Sequence, residues 1–343
     1  MQLNYILFHY FIKYTEVFKL KNVLLLFGGR SYEHEVSCKS AKNIYNNINK
    51  NIFNVTSVYV SKTNNWYIFD NNFNDINISM LKKVPNIITF LKNFDCVFNI
   101  IHGNDGEDGK YVSLFELMDI KYVGPNHISS MICMNKHITK TILNRYKIKQ
   151  VKYVLYNNNL SDIENKLKYP MIVKPSSGGS SIGITKVNNK NELKEAIKLA
   201  MQYDNNVIIE EFITGLELEC AVMQDKDKIH VSTVGQIKPS RGFYDYDDKY
   251  IINDSKVLIP AFIGQNIADR IRRISKKVFT VLNCKDLARI DFFYDYKNNI
   301  IYLNEINTLP GFTNISMYPK LLEYDGYNYQ DIITILINNN INP

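Results

Sequence analysis

The chain has 343 residues, of which 45% are hydrophobic and 22% charged, with a formal net charge of +7. That length allows two or three domains with ample cores, and the ordinary composition excludes a disordered or fibrous chain. Five widely spaced cysteines without a CxxC pair exclude a zinc knot or disulfide framework and fit a reducing compartment, while the dispersed basic residues exclude a nucleic-acid surface.

Residues 1–20 are mostly apolar or aromatic, interrupted by His9, Lys13, Glu16 and Lys19. They lack the basic start and small-residue cleavage site of a secretory signal, and the run is too short for a stable membrane insertion. They read as an extension that packs on the body or touches a membrane surface. Residues 21–27 read as a buried strand entering a turn at Gly28 and Gly29. A helix follows from near Ser37, with Ala41, Ile44 and Ile48 on one face. Residues 54–60 and 95–101 read as strands, the second ending in HGNDGEDG. A helix at 113–118, a strand at 120–123 and the Gly124-Pro125 breaker complete a parallel α/β unit over residues 21–125.

The next stretch predicts a helix over 128–144, a strand over 150–155, and strands at 171–174 and 183–187 around PSSGGSSIG. With a helix at 192–201 and a strand at 207–211, this is a small α+β module. Strands at 217–223 and 229–236, a tyrosine-rich polar loop, a helix at 264–281 and strands at 287–294 and 300–304 follow. Arg270, Arg272, Arg273, Lys276 and Lys277 form the solvated face of that helix, opposite Ile267, Ile271, Ile274 and Val278. The asparagine runs at 157–159 and 338–340 read as a loop and a chain end.

The chemistry concentrates in a few places. The loop Pro175-Ser176-Ser177-Gly178-Gly179-Ser180-Ser181-Ile182-Gly183 is small enough for its backbone N–H groups to wrap a phosphate, with the Lys174 charge just before it. It is neither a Walker loop nor a dinucleotide fingerprint. Asp291 on one strand, with Glu305 and Asn307 two apart at the end of the next, offers oxygen ligands suited to Mg²⁺. Arg289, two residues before Asp291, can face the same cleft, and the Gly311 N–H can add a second donor for developing negative charge. In the first unit, the turns at Gly28 and His102 lie at carboxyl ends of strands, where open sheets bind ligands. Glu33 suits an ammonium group. His102 either faces the ligand or fixes its loop.

Taken in order, GGRSYEHEVS, HGNDGEDG, VKPSSGGSSIG, EEFITGLELE, GFYDYDDKY, ARIDFF and NEINTLPGFTNISMYP resemble the D-alanine–D-alanine ligase family of the ATP-grasp superfamily. The resemblance spans residues 22–335. It implies a three-domain ATP-grasp fold, α/β and α+β, with an N-terminal parallel α/β domain. Residues 1–20 would be the extension, 21–127 the N-terminal substrate domain, 128–215 the central domain, and 216–343 the C-terminal domain with a lid and the metal site.

The resemblance also implies roles. Lys136, Lys174, Ser180, Glu210, Glu211, Phe212, Ile213, Glu217, Lys249, Asn304 and Glu305 would contact ATP, with Lys249 on a lid over residues 242–250. Asp291, Glu305 and Asn307 would hold magnesium or manganese, two ions per site. Glu33, Ser180, Tyr250, Arg289 and Gly311 would be catalytic, and Glu33, His102, Ser316 and Met317 would meet the D-alanine substrates. A cytoplasmic location, D-alanine and ATP as partners, and a homodimer follow as family expectations. The sequence departs from the family at Asn135, Val112 and Ser177-Gly178, none of which is assigned to catalysis. A sister ligase taking D-lactate or D-serine second is the first rival, against which Tyr250 after Lys249 argues. A catalytically silent nucleotide-binding module is the second, against which the retained metal ligands, Arg289 and Lys249 argue.

Overall fold

The computed structural model describes residues 20–238 and 256–341. The proposed extension, save Leu20, and the lid residues Lys249 and Tyr250 lie outside the described residues.

Residues 23–27 are wholly buried in β1 (Lys21–Gly28). A strand buried on both faces belongs inside a parallel sheet. β1 accordingly lies between β2 (Phe53–Val60) and β5 (Cys96–Asn99), parallel to both. Two short strands, β3 (Trp66–Ile68) and β4 (Lys82–Lys83), extend the β2 edge in antiparallel sense, giving the order β4-β3-β2-β1-β5. Three helices accompany the sheet: α1 (His34–Asn47), α2 (Ile87–Leu91) and α3 (Lys110–Leu117). α1 packs on β1 through Ala41 and Ile44, the face expected, and starts slightly earlier than Ser37. Residues 120–123 do not form the expected strand. They make a single isolated bridge, Tyr122 to Val97, before Gly124 (φ 117°) and Pro125 turn the chain away.

The helix expected over 128–144 is two helices, α4 (His127–Met134) and α5 (Lys136–Arg145). The break is Asn135, extended at φ −93° and ψ 102°, whose side chain caps α5 by accepting from Ile138 N at 3.0 Å. Leaving the helix lets Asn135 bridge to Ser177, while Lys136 N donates to Ser176 O at 2.8 Å. A tertiary contact has overridden a helical pattern. Beyond α5 come β6 (Tyr153–Leu155), α6 (Leu160–Lys166), β7 (Met171–Pro175), β8 (Thr185–Val187), α7 (Lys190–Ala200) and β9 (Val207–Glu211). The strands form an antiparallel sheet, β6-β9-β7-β8, with the glycine–serine loop joining β7 and β8 as a hairpin.

The third sheet is antiparallel, ordered β12-β11-β10-β13-β14. Its strands are β10 (Leu216–Asp225), β11 (Lys228–Lys238), β12 (Lys256–Leu258), β13 (Leu287–Asp295) and β14 (Ile300–Asn307). α8 (Gln265–Val281) covers one face with Ile267, Ile271 and Val278 buried and its basic residues outward. Two further helices, α9 (Met317–Tyr324) and α10 (Tyr329–Ile341), have no counterpart in the sequence reading. They pack between Ala221, Met223 and Ile237 of the third sheet and the core of the first, where Phe98 meets Phe312 at 5.9 Å between ring centroids. The asparagines at 338–340 are therefore not a loose chain end. Asn339 and Asn340 are buried and donate to Asp286 at 3.2 and 2.8 Å, and Gly124 N donates to the same carboxylate at 2.8 Å. Burial holds the Asp286 carboxyl above its ordinary range. Among the described residues no helix is long and apolar enough to cross a membrane.

Candidate active site

The three sheets enclose one cleft of about 980 Å³. Every expected site residue among the described residues borders it: Glu33, His102, Lys136, Lys174, Ser180, Glu210, Glu211, Phe212, Ile213, Glu217, Arg289, Asp291, Asn304, Glu305, Asn307, Gly311, Ser316 and Met317. They come from segments more than 280 residues apart in the chain.

The acidic corner is set by the pairing of β13 with β14, which puts Asp291 opposite Glu305 and Arg289 opposite Asn307. Arg289 forks onto Asp291, Nε to Oδ1 at 2.8 Å and Nη2 to Oδ2 at 2.7 Å. Its Nε also lies 2.9 Å from Glu219 on β10. Burial opposes the guanidinium charge, but Asp291 and Glu219 outweigh it and hold the pKa well above the ordinary value. Asn307 Nδ2 donates to Asp291 Oδ2 at 2.9 Å. Two carboxylates and an amide are hard oxygen donors, too few for a closed cage. Among the described residues no group of three His, Cys, Asp or Glu is placed to hold a metal. Such a partial set fits Mg²⁺, which keeps waters and shares substrate phosphates.

Across the cleft, the glycine–serine loop has left-handed backbone at Gly178, Ser180, Ser181 and Gly183, with φ of 134°, 52°, 58° and 70°. A turn of small residues with left-handed backbone can present backbone N–H groups to an anion. The loop is held from outside by Asp204, whose carboxylate accepts from Ser177 N at 2.7 Å. From inside, Lys136 Nζ donates to Gly178 O at 2.6 Å and lies 4.0 Å from Glu305. Beneath the loop, Glu210 lies between Lys140 and Lys174, at 2.9 and 2.8 Å. Burial alone would raise its carboxyl, but the two ammonium groups draw it down to about 2. Burial weakens the Lys140 charge and Glu210 supports it.

At the N-terminal side, Ser180 Oγ donates to the Glu33 carboxylate. Glu33 passes so close to Gly103 and Gly179 that a Cβ there would meet its Oε2 at 2.7 and 2.9 Å. His102 is 3% exposed, with Nδ1 3.1 Å from Leu309 O and Nε2 3.1 Å from Ser40 Oγ. Because a carbonyl only accepts, Nδ1 carries the proton. Both nitrogens are engaged, the loop-fixing arrangement, and the ring ties its loop to the turn after β14. Gly311 leaves room for Ser316 Oγ, which a Cβ there would meet at 2.7 Å. Ser316 Oγ lies 2.8 Å from Thr313 Oγ1 and precedes α9, whose first residue is Met317.

Sequence reasoning missed Lys140, Glu219, Ser40 and Thr313. Two had a signal: Lys140 is four residues after Lys136 and so on the same helix face, and Glu219 is two after Glu217 on one strand.

Three sheets around a cleft with an acidic corner and a glycine–serine loop fit a nucleotide-dependent enzyme. Residues 22–125 match the family profile "D-ala D-ala ligase N-terminus" and residues 142–338 match "D-ala D-ala ligase C-terminus". The chain belongs to the D-alanine–D-alanine ligase family. It is similar to the D-alanine–D-alanine ligase of Acetivibrio thermocellus, with 40% identity covering 92% of this chain and 95% of that one. Its fold is similar to the VanG D-Ala:D-Ser ligase of Enterococcus faecalis, at a TM-score of 0.82 and 34% identity over 93% of this chain and 99% of that one. The D-alanine–D-alanine ligase of Coxiella burnetii superposes with a TM-score of 0.81 and 29% identity over 94% of each chain.

Proposed function

We propose that this protein joins two D-alanine molecules into D-alanyl-D-alanine for peptidoglycan precursor synthesis, converting ATP to ADP and phosphate. The observation that carries this reading is the convergence of Glu33, the glycine–serine loop and the Arg289–Asp291–Glu305–Asn307 corner on one cleft. The first carboxylate takes the γ-phosphoryl group to give an acyl phosphate. The second amine then attacks its carbonyl, and phosphate leaves.

Glu33, held by Ser180, receives the first ammonium group. Glu210 through Ile213, with Glu217 and Asn304, take the adenine and ribose side, and Lys136 and Lys174 take the phosphates. Asp291, Glu305 and Asn307 would hold magnesium, or manganese, as two ions, which would screen the phosphate charge. Arg289 has five N–H donors, and those not spent on Asp291 and Glu219 stabilise the oxyanion together with the Gly311 N–H. Ser316 and Met317 start a helix whose N-terminus receives the second carboxylate. His102 backs the first substrate. Lys249 and Tyr250 complete the site when the lid excludes water. The reading includes a cytoplasmic homodimer whose three domains divide near residues 127 and 215. Phosphate release dependent on D-alanine, ATP and Mg²⁺, with the dipeptide identified by mass spectrometry, tests it. Release without dipeptide would defeat it.

The structural likeness to a D-Ala:D-Ser ligase favours one second reading, D-serine as the second substrate. Competition between D-alanine, D-serine and D-lactate as second substrates decides between the two by product ratio.

A further inference from the structure

We propose that Lys140 is a positioning residue for the nucleotide: from behind the cleft wall it holds one oxygen of Glu210, so that Lys174 keeps donors for the phosphate. The inference deepens the ATP-dependent reading above and rests on it.

Lys140 lies on α5 and is 1% exposed. Unlike Lys136, Lys174 and Glu210, it does not border the cleft. Its Nζ is 2.9 Å from Glu210 Oε1, while Lys174 Nζ is 2.8 Å from Oε2. Its place is fixed by Gln150, whose Nε2 donates to Lys140 O at 3.0 Å, and by the Tyr153 ring, 5.4 Å from Nζ.

The charge count gives the reason for burying so costly a group. Lys174 and Glu210 alone would form a closed, neutral ion pair, and a phosphate would have to compete with Glu210 for the Lys174 ammonium. Two ammonium groups around one carboxylate leave one net positive charge. Lys140 cannot reach the cleft, so the surplus is expressed at Lys174, at the foot of the glycine–serine loop. Lys140 also keeps Glu210 ionised. The other charged or titratable groups around this carboxylate are Tyr153, opposite it on β6, Lys186, one strand beyond Ile172 on β8, and Glu305, which acts on Lys140. None of them replaces a cation in contact with Oε1.

Lys140→Met keeps the length and removes the charge, Lys140→Arg keeps the charge, and Lys140→Gln serves if the Met variant does not fold. ATP binding in the presence of Mg²⁺ is measured by calorimetry, and KM for ATP and for D-alanine by phosphate release, from mildly acidic to alkaline pH. Coupling one of the two cations on Glu210 to the nucleotide site predicts a weakening of ATP binding of about 10- to 100-fold in the Met variant. The KM for D-alanine should stay within about 2-fold, the spread of an unperturbed site. By the same charge count, protonating Glu210 frees Lys174, so the loss relative to the unmodified protein should shrink as pH falls, and Lys140→Arg should restore binding at neutral pH. A folded Met or Gln variant with wild-type ATP affinity, or with a loss that does not shrink on acidification, overturns the inference. So does a rise in both KM values together that Lys140→Arg does not rescue, the mark of a structural role. If the unmodified protein binds no ATP, it is the ATP-dependent reading that fails, and this inference with it.

Discussion

Replacing Arg289 by Met tests the acidic corner through both stability and rate. The Arg289 side chain is 19% exposed and contacts Asp291 and Glu219 at 2.7 to 2.9 Å. Those two carboxylates belong to residues only 8% exposed. Removing one partner of a buried ion pair costs about 3–5 kcal/mol, because the remaining charge is left without compensation. Here two carboxylates are stranded, which pushes towards the upper end. The Asn307 amide still donates to Asp291 at 2.9 Å, which offsets about 1 kcal/mol. The expected loss is therefore about 4 kcal/mol at neutral pH, read from urea unfolding of the stretch carrying β13 and β14. A stranded carboxylate can escape its penalty by taking up a proton, so the loss should shrink as pH falls. Arg289→Lys should recover part of the stability, since it restores charge without the fork. Neither variant should recover the rate, which the proposed oxyanion role sets about 10²- to 10³-fold below wild type. A loss under about 1 kcal/mol, or one independent of pH, would refute the claim that Arg289 neutralises this corner.

Other expectations follow from the same geometry. Glu305→Gln removes a charge from the proposed metal site, so phosphate release should fall sharply and the Mg²⁺ requirement should rise, with an unchanged circular dichroism spectrum. Gly179→Ala places a Cβ 2.9 Å from Glu33 Oε2. Because the flexible Glu33 side chain can yield, stability should change by less than about 1 kcal/mol while the KM for D-alanine rises. Despite burial, Lys140 and Lys174 hold the Glu210 carboxyl down at about 2 against an ordinary 4.5, so its contribution is full above pH 4.5 and lost as pH falls towards 2. That shift corresponds to roughly 3 kcal/mol, and acid unfolding of Glu210→Gln should lack this part of the pH dependence.

The sequence alone carried whatever depends on neighbours along the chain. The apolar run at 23–27 reads as a buried strand, and the small residues between two apolar stretches read as a hairpin loop. Two-residue spacing put Glu305 and Asn307 on one side of β14 and Arg289 and Asp291 on one side of β13. Ordered family motifs supplied the roles these residues are proposed to play. What escaped depends on contacts between distant segments. Asn135 sits inside a helical pattern, yet the break is set by Ser176 and Ser177, more than 40 residues later. Asn339 and Asn340 read as a polar chain end because their partner, the buried Asp286, lies 53 and 54 residues away. Lys140 shares a helix face with Lys136 in the sequence, but its buried partner appears only when β9 brings Glu210 to it. Local pattern reports how a residue's neighbours in sequence want to fold, but burial of a charge and the identity of its partner are fixed only when the sheets close around the cleft.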